Sequence, residues 1–310
     1  MERLLITLIL VCTMNNITNA QNPFYGQYHT PHETVPFDRI ETEHYEPAIL
    51  EGIKLQNAEI EAIIQNPGKA DFTNTIEAFE ESGKLLDKVV AVFGNMLSAE
   101  TNDDLQELAQ KIMPLLSEHS NNITLNEKLF ARVKEVYNQK ETLQLTQEQK
   151  QLLENAYNSF IRHGANLERE AREEYRRLTT ELSKLTLTFS ENNLKETNAY
   201  QMLLTKKESL AGLPEIIIEA AAETAKNEEK EGWAFTLHAP SYIPFMTYSD
   251  NRDLRQKLYM AYNTKCTHDN EFNNIDIVKK IANTRMKIAQ LLGYKDYAEY
   301  TLKKRMAENS

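Results

Sequence analysis

The stretch TQEQKQLLENAYNSFIRHGANLEREAREEYRRLTTELSKLTLTF, residues 146–189, carries the longest helical pattern of this 310-residue chain. Thr146 and Gln149 have the spacing of a capping box at a helix start. The apolar residues that follow recur at the steps of one helical stripe: Leu153, Ala156, Phe160, Leu167, Ala171, Tyr175, Leu178, Leu182, Leu185 and Phe189. They predict a helix of about 45 residues, roughly 65–70 Å long, with Gly164 as its one weak point. A coiled-coil dimer is the alternative, which is disfavoured because the heptad does not continue outside this stretch.

Helical patterns also fill the sequence before residue 146. Pro47 suits the first position of a helix that ends at residues 66–68, Asn-Pro-Gly. Asn74 and Glu77 have the spacing of another capping box, and apolar residues then recur at steps of four and three as far as Leu97. Two shorter apolar patterns predict the next helices: Leu105, Leu108 and Ile112, and then Leu129, Val133 and Val136.

The period changes between residues 200 and 240. Residues 200–203 and 233–237 read as strands, and a turn at residues 212–214 starts a short helix between them. Further helices are predicted from Arg252 and from the capping pair Asp296 and Glu299. We therefore predict a mainly all-α fold: an elongated multi-helix lobe with one very long helix and a small two-stranded β ribbon.

Composition and charge exclude several classes of protein. Apolar residues make up 41% of the chain, which is enough for a substantial core, and the formal net charge is −11. Such an acidic chain disfavours nucleic acid or an anionic lipid surface as partner. The alternating glutamates and arginines of residues 168–177 are typical of a solvated helical face with ion pairs between successive turns.

The first residues have the pattern of a secretory signal. Arg3 precedes a short apolar run, residues 4–11, and the small Ala20 precedes a plausible cleavage point. Cys12 raises a lipoprotein alternative, which is disfavoured because Val11 stands where a small residue is needed. A buried N-terminal strand is the other alternative. We expect cleavage after Ala20, a periplasmic or secreted location, and no membrane association of the mature chain.

No catalytic constellation emerges from residue chemistry. A zinc peptidase needs two histidines four residues apart on one helix with a glutamate between them. The chain has no such pair among its histidines: His29, His32, His44, His119, His163, His238 and His268. Without Cys12, Cys266 is the remaining cysteine, which excludes an intramolecular disulfide, and we expect it to be a small buried hydrophobe.

Several ordered segments resemble the thimet oligopeptidase family of zinc metallopeptidases, in particular its peptidyl-dipeptidase (dipeptidyl carboxypeptidase) and oligopeptidase A branch. They are FTNTIE (72–77), RHGANL (162–167), LAGLP (210–214), the strand WAFTL with PSY (233–242), NRDLRQKLYMAY (251–262) and LLGY (291–294). Each segment is weak alone, but their order and spacing make the resemblance strong. It covers nearly the whole chain after residue 20.

The resemblance implies an almost wholly helical enzyme whose two lobes face each other across a channel for short peptides. Zinc is then implied as the cofactor, held by a His-Glu-x-x-His motif and a further glutamate downstream. The implied division is a signal peptide at 1–20, an N-terminal helical lobe at 21–240 and the start of the catalytic region at 241–310. The motif does not occur in these 310 residues, so the prediction is no catalytic residue and no metal ligand here, with substrate-binding residues unknown.

Three functional hypotheses follow. The first is the N-terminal part of a secreted peptidase that releases C-terminal dipeptides from short peptides, inactive as this chain alone. The second is a non-catalytic helical module that binds peptides or a partner. The third is one half of a split enzyme, completed by the missing catalytic half. The last predicted helix shows no stop signal before Ser310, so we expect either that the structure continues past it or that the end is a frayed tail.

Overall fold

Helices dominate residues 22–309, the part of the chain that the computed structural model describes. The chain forms two units: one runs to Ser183 and resumes at Lys287, and the other comprises Lys184–Met286. The predicted fold class, mainly all-α with a small two-stranded ribbon, is confirmed. The boundary at residue 240, between the N-terminal lobe and the catalytic region that the family resemblance implies, stays a prediction.

The helices and strands have the following bounds. The helices are α1 (Thr42–Ile64), α2 (Ala78–Glu80), α3 (Lys84–Ala99), α4 (Asp103–Thr124), α5 (Glu127–Asn138), α6 (Gln147–Arg162), α7 (Arg169–Ala199), α8 (Glu215–Asn227), α9 (Ala239–Tyr248), α10 (Arg252–Asn263), α11 (Ile275–Leu291) and α12 (Tyr297–Leu302). The strands are β1 (Met202–Leu204) and β2 (Trp233–Phe235), and a π-helical segment, Phe72–Glu77, leads into α2.

The long pattern of residues 146–189 is broken into two helices. The predicted capping box is present, because Thr146 and Gln149 bond each other's backbone and begin α6. However, α6 ends at Arg162, and α7 begins only at Arg169. Gly164 has a φ of +85°, and the amide of Ala165 donates to the carbonyl of Phe160 at 3.0 Å. A left-handed glycine with this bond ends a helix, so the single 45-residue helix was wrong, although α7 alone has 31 residues.

The two first helix starts differ from their predictions. Helix α1 begins at Thr42, not at Pro47, because Glu41 and His44 form a capping box upstream and Pro47 lies inside the helix. Asp71, not Asn74, caps the next segment, and Asn74 is its capping-box partner three residues later. In both places the residue that caps the helix lies a few residues before the helix start that the sequence predicts.

The stripe that continues to Leu97 is also interrupted. Gly83 takes a φ of +80° between α2 and α3, and its amide donates to the Glu59 carboxylate at 2.7 Å. The φ of +80° favours glycine at this turn, and a Cβ there would lie 2.2 Å from the Gln56 amide, so that side chain would have to move. The apolar residues keep their helical spacing across Gly83, which is why the sequence pattern did not reveal the break.

The core of the first unit is aromatic. Phe160 packs against Phe79 and Phe130 at ring-centroid distances of 5.5 and 5.7 Å, and Tyr45 packs against Phe24 and Phe93 at 5.4 and 5.2 Å. Burying one such ring contributes about 1.5–3 kcal/mol. Phe24 therefore attaches residues 22–36, the N-terminal arm, to the rest of the first unit.

The second unit is built on the predicted ribbon. Strands β1 and β2 pair antiparallel, with Met202 opposite Phe235 and Leu204 opposite Trp233. Helix α8 connects them, and Phe235 packs edge-on against Phe245 of α9 at 4.6 Å. Helix α9 was not predicted, because Pro240 and Pro244 gave it no readable helical pattern. The ribbon, α8, α9 and α10 share one apolar core that contains Phe245 and Leu258.

Candidate functional site

The histidines of the described residues are placed separately. His29 and His32 lie exposed in the N-terminal arm, and both have left-handed backbones. His44 accepts the amide of Glu41 at 2.9 Å and completes the cap of α1, while His119 bonds the Gln56 amide at 2.7 Å. Burial lowers the pKa of His119, so its neutral form is favoured.

The remaining histidines bond nearby polar atoms. His163 Nδ1 lies 2.7 Å from the carbonyl of Ser159, and His238 Nε2 lies 3.1 Å from the Asn198 side chain. His268 Nδ1 lies 2.8 Å from Glu196 Oε1. Within residues 22–309, no three His, Cys, Asp or Glu side chains come together in a group that could hold a metal ion. The donor set of this part of the chain therefore does not fit zinc, which needs three or four converging ligands.

Glu196 is the most connected carboxylate of the second unit. It accepts from the backbone amide of Cys266, from His268 and, at 3.2 Å, from the Asn270 side chain. Its side chain is only 12% exposed. Burial raises the pKa of Glu196, but the hydrogen bonds outweigh burial, and the pKa lies below the ordinary 4.5. The ionised carboxylate therefore holds the segment between α10 and α11 against α7.

Cys266 lies at this same cluster. It follows the end of α10 and has a left-handed backbone with a φ of +59°. Its side chain is buried, as the sequence predicts, and it lies in a turn. Burial and the neighbouring Glu196 raise the pKa of the Cys266 thiol to about 11. A thiol that stays protonated is a poor nucleophile, so the cluster does not form a Cys-His catalytic pair.

An arginine–tyrosine contact joins distant parts of the first unit. The guanidinium of Arg162 lies 4.1 Å from the centroid of the Tyr300 ring, and its Nη2 donates to the carbonyl of Tyr300 at 2.9 Å. Tyr175 is buried beside this pair, and burial raises its pKa well above 10. The contact stabilises the junction of α6 and α12. None of its side chains is a deprotonated nucleophile or a base.

Two cavities of the first unit have charged side chains in their lining. One, of about 590 Å³, is lined by Phe24, Leu55 and Lys88, among others. The Lys88 ammonium donates to the carbonyl of Gly26 at 3.0 Å and lies over the Tyr28 ring. The other, of about 600 Å³ between α1 and α4, has an acidic rim: Glu43, Glu46, Asp104 and Glu107. Neither cavity presents a nucleophile with a base beside it.

The second unit also exposes large apolar and aromatic side chains. Tyr242 of α9 stacks on Tyr262 of α10 at 4.2 Å, and the Lys265 ammonium lies 4.6 Å from the Tyr262 ring. Further exposed side chains lie on α9, α10 and α11: Ile243, Tyr248, Tyr259, Met260, Ile275, Val278 and Met286. Singly exposed apolar residues are normal on a protein surface, whereas a contiguous patch of them marks an interaction site.

The predicted charged face of α7 is only partly solvated. Arg177 pairs with Glu174 at 2.7 Å and with Glu181 at 3.0 Å on its own helix, as predicted. Arg172 instead bonds Glu127, and Arg176 donates to Asn122 at 2.6 Å. These two arginines connect α7 to other helices.

Sequence reasoning missed Glu196 and the Arg162–Tyr300 contact. The partners of Glu196 follow it by 70 to 74 residues, and Tyr300 follows Arg162 by 138. Local spacing carries no signal for pairs so far apart. The only signal near these contacts was the resemblance of residues 162–167 and 251–262 to segments of the family.

Comparisons with known proteins identify relatives of this chain. The sequence model of peptidase family M3 matches residues 245–310. Oligopeptidase A of Salmonella typhimurium is 30% identical over 93% of this chain and 42% of its own length. Dipeptidyl carboxypeptidase of Escherichia coli is 35% identical over 93% of this chain and 43% of its own length. A probable cytosolic oligopeptidase A of Arabidopsis thaliana is 27% identical over 94% of this chain and 42% of its own length. The chain thus spans about two fifths of the length of these relatives.

The predicted periplasmic or secreted location is contradicted by these relatives. They are named as oligopeptidases and a dipeptidyl carboxypeptidase, and one of them is named as cytosolic. A short apolar run after one arginine is too common a pattern to establish export. The predicted signal peptide and its cleavage after Ala20 lie outside the described residues. From residue 22 to residue 309, no helix is both long and apolar enough to cross a membrane.

Proposed function

Since this chain belongs to the thimet oligopeptidase family, peptidase family M3, we propose that it is part of a metallopeptidase that hydrolyses short peptides. The similarity to oligopeptidase A and dipeptidyl carboxypeptidase over 93% of the chain is the observation that carries the proposal. The match of the family model to residues 245–310 supports it independently of the first 244 residues.

Which part of that enzyme shapes the peptide channel and which part binds the metal is also a proposal. Zinc, when bound in this family, polarises the scissile carbonyl and activates water. No His-Glu-x-x-His sequence occurs among the 310 residues, and five of the seven histidines bond other groups: His44, His119, His163, His238 and His268. The chain then contributes helices that shape the peptide channel, while the metal site belongs to sequence outside these residues.

The preferred substrates are short peptides, cleaved to release C-terminal dipeptides. The name of the E. coli relative, which is 35% identical, supports this choice over general endopeptidase activity. The zinc motif of the family lies outside these residues, so the chain by itself is inactive in this proposal.

An activity assay tests the proposal. The purified 310-residue chain is incubated with N-acetylated tetrapeptides, and dipeptide release is followed by mass spectrometry. The E. coli dipeptidyl carboxypeptidase serves as the active control, and both proteins are assayed with and without a chelator. We expect no release by the chain and chelator-sensitive release by the control. Chelator-sensitive dipeptide release by the chain would overturn the assignment of the metal site to other sequence.

A second candidate is a non-catalytic module that binds peptides. Tyr262 favours it: this ring is 39% exposed, stacks on the half-buried Tyr242 and has the Lys265 ammonium 4.6 Å from its centroid. An exposed aromatic ring with a nearby cation suits a peptide carboxyl end. Calorimetric titration of the chain with the same tetrapeptides distinguishes the two. Saturable binding that is lost in Tyr262→Ser supports the peptide-binding module. No binding supports the proposal that the chain is part of a metallopeptidase.

A further inference from the structure

The cavity of about 590 Å³ in the first unit has the size and the lining of a small-molecule site. Ligand pockets commonly enclose about 300–1,000 Å³ and are mostly apolar, with a few polar groups that orient the ligand. The N-terminal arm forms one wall of this cavity, and α1 and α3 form the others. The apolar side chains of these walls are Phe24, Tyr25, Leu55 and Leu85. The cavity therefore suits a ligand with an apolar body.

Packing holds the walls of this cavity in place. Phe24 of the arm is fully buried, and its ring packs against Tyr45 of α1 at 5.4 Å. A Cβ at Gly52 of α1 would lie 2.9 Å from the Cα of Leu86, so α1 and α3 meet in close backbone contact. A cavity with such walls is formed before a ligand enters it, which keeps the entropic cost of binding low.

Two of the three charged side chains in the lining are paired with neighbours on their own helix turns. Glu51 of α1 accepts from Lys54 at 3.0 Å. Lys84 of α3 pairs with Glu81. These two pairs leave the ammonium of Lys88 as the charge that decides which ligand the cavity favours.

The contacts of the Lys88 ammonium within residues 22–309 are with neutral groups. It donates to the carbonyl of Gly26 at 3.0 Å and lies 4.6 Å from the centroid of the Tyr28 ring. Burial lowers the pKa of Lys88, because these neutral groups do not fully offset its loss of water. An ammonium has three N–H donors, so Lys88 can also donate to a ligand. An anionic ligand group would neutralise its charge.

We propose that this cavity binds a carboxylate that carries an apolar tail, with the carboxylate at Lys88 and the tail against Leu55 and Leu85. Two sources have this chemistry: a medium-chain fatty acid, and the C-terminal end of a peptide whose last residue is apolar. The site lies outside residues 245–310, which the family model matches, and it does not depend on the proposed peptidase activity.

Ligand-observed NMR titration of the 310-residue chain tests the site. The probes are octanoate and N-acetylphenylalanine, each beside its neutral amide. Lys88→Met removes the charge and keeps an apolar stem, and Leu55→Gln makes the apolar wall polar at a side chain that is 42% exposed. Lys134→Met is the matched control, because the Lys134 ammonium also lies over an aromatic ring, that of Phe130, but outside the cavity. Circular dichroism checks that each variant folds.

We expect saturable binding of at least one carboxylate to the wild type and to the Lys134→Met control. Its amide should bind the wild type, and the carboxylate should bind Lys88→Met, at least about tenfold more weakly, since each loses a charge-assisted hydrogen bond. Leu55→Gln should also weaken binding, because it removes apolar contact with the tail. The probe that binds more tightly identifies the source as a fatty acid or a peptide end.

Three results would overturn the site. They are no saturable binding of either carboxylate, equal binding of a carboxylate and its amide by the wild type, and unchanged binding by Lys88→Met. The comparison with the amide uses the wild type alone, so it decides the question even where a variant does not fold. Binding of N-acetylphenylalanine that is lost in Tyr262→Ser but kept in Lys88→Met would place that ligand on the second unit and contradict the proposal.

Discussion

At the scale of single residues, Glu196 binds three groups of one turn. Its carboxylate accepts from the Cys266 amide, His268 and Asn270, all in the turn after α10. A buried carboxylate is stable only when such hydrogen bonds compensate its desolvation. The turn therefore keeps one conformation although Cys266 has a left-handed backbone.

Replacing Glu196 should destabilise this turn. Glu196→Gln removes the charge and one acceptor, and we expect a loss of about 1–3 kcal/mol of unfolding free energy at about pH 7. The folded pKa of Glu196 lies below the ordinary 4.5, so its contribution is complete above that value and is lost as the pH falls through the folded pKa. The difference between variant and wild type should therefore shrink at about pH 4 and below.

Urea denaturation at several pH values measures this effect. Glu228→Gln is the matched control, because Glu228 also accepts from a cation, Lys230, but is 48% exposed. We expect little change from the control. A loss that is the same at all pH values would show that the Glu196 carboxylate does not act through its charge.

At the scale of elements, Gly164 decides where α6 ends. Its left-handed φ of +85° is unfavourable for other residues, and a Cβ there would lie 2.8 Å from Leu167 Cδ1. Gly164→Ala should cost about 1–3 kcal/mol of stability because of this strain. Gly94→Ala in α3 is the control: no atom lies within 4 Å of its Cβ position. Since alanine favours a helix interior, the control should gain about 0.5–1 kcal/mol.

Thermal and urea unfolding of both variants provide the measurement. Opposite signs for the two glycines are the expected result. Stabilisation by Gly164→Ala would mean that α6 and α7 form one continuous helix in solution, as the apolar period alone predicts.

In this chain, the sequence predicts which segments are helical better than it predicts where each helix begins and ends. The capping pairs Thr146–Gln149 and Asp296–Glu299 were found because cap chemistry is local. The breaks at Gly83 and Gly164 were missed because the apolar period passes through them unchanged. The ribbon was found from its alternation, whereas α9 was hidden by two prolines. Among the candidate sites, the partners of Glu196 could not be predicted, since they depend on tertiary packing.

At the scale of the whole molecule, the chain combines two well-packed units with an uncovered surface on the second. The aromatic core of the first unit and the ribbon core of the second have the buried side chains of an ordinary globular protein. The exposed faces of α10 and α11 do not fit that description, and they coincide with the stretch that the M3 family model matches.

Metal analysis of the purified chain tests this account most directly. The 310-residue protein is dialysed against zinc, passed through a desalting column and measured by inductively coupled plasma mass spectrometry, beside the E. coli dipeptidyl carboxypeptidase. The account predicts well under one zinc per chain, because no three His, Cys, Asp or Glu side chains among the described residues form a group that could hold a metal ion. One tightly held zinc per chain would contradict it.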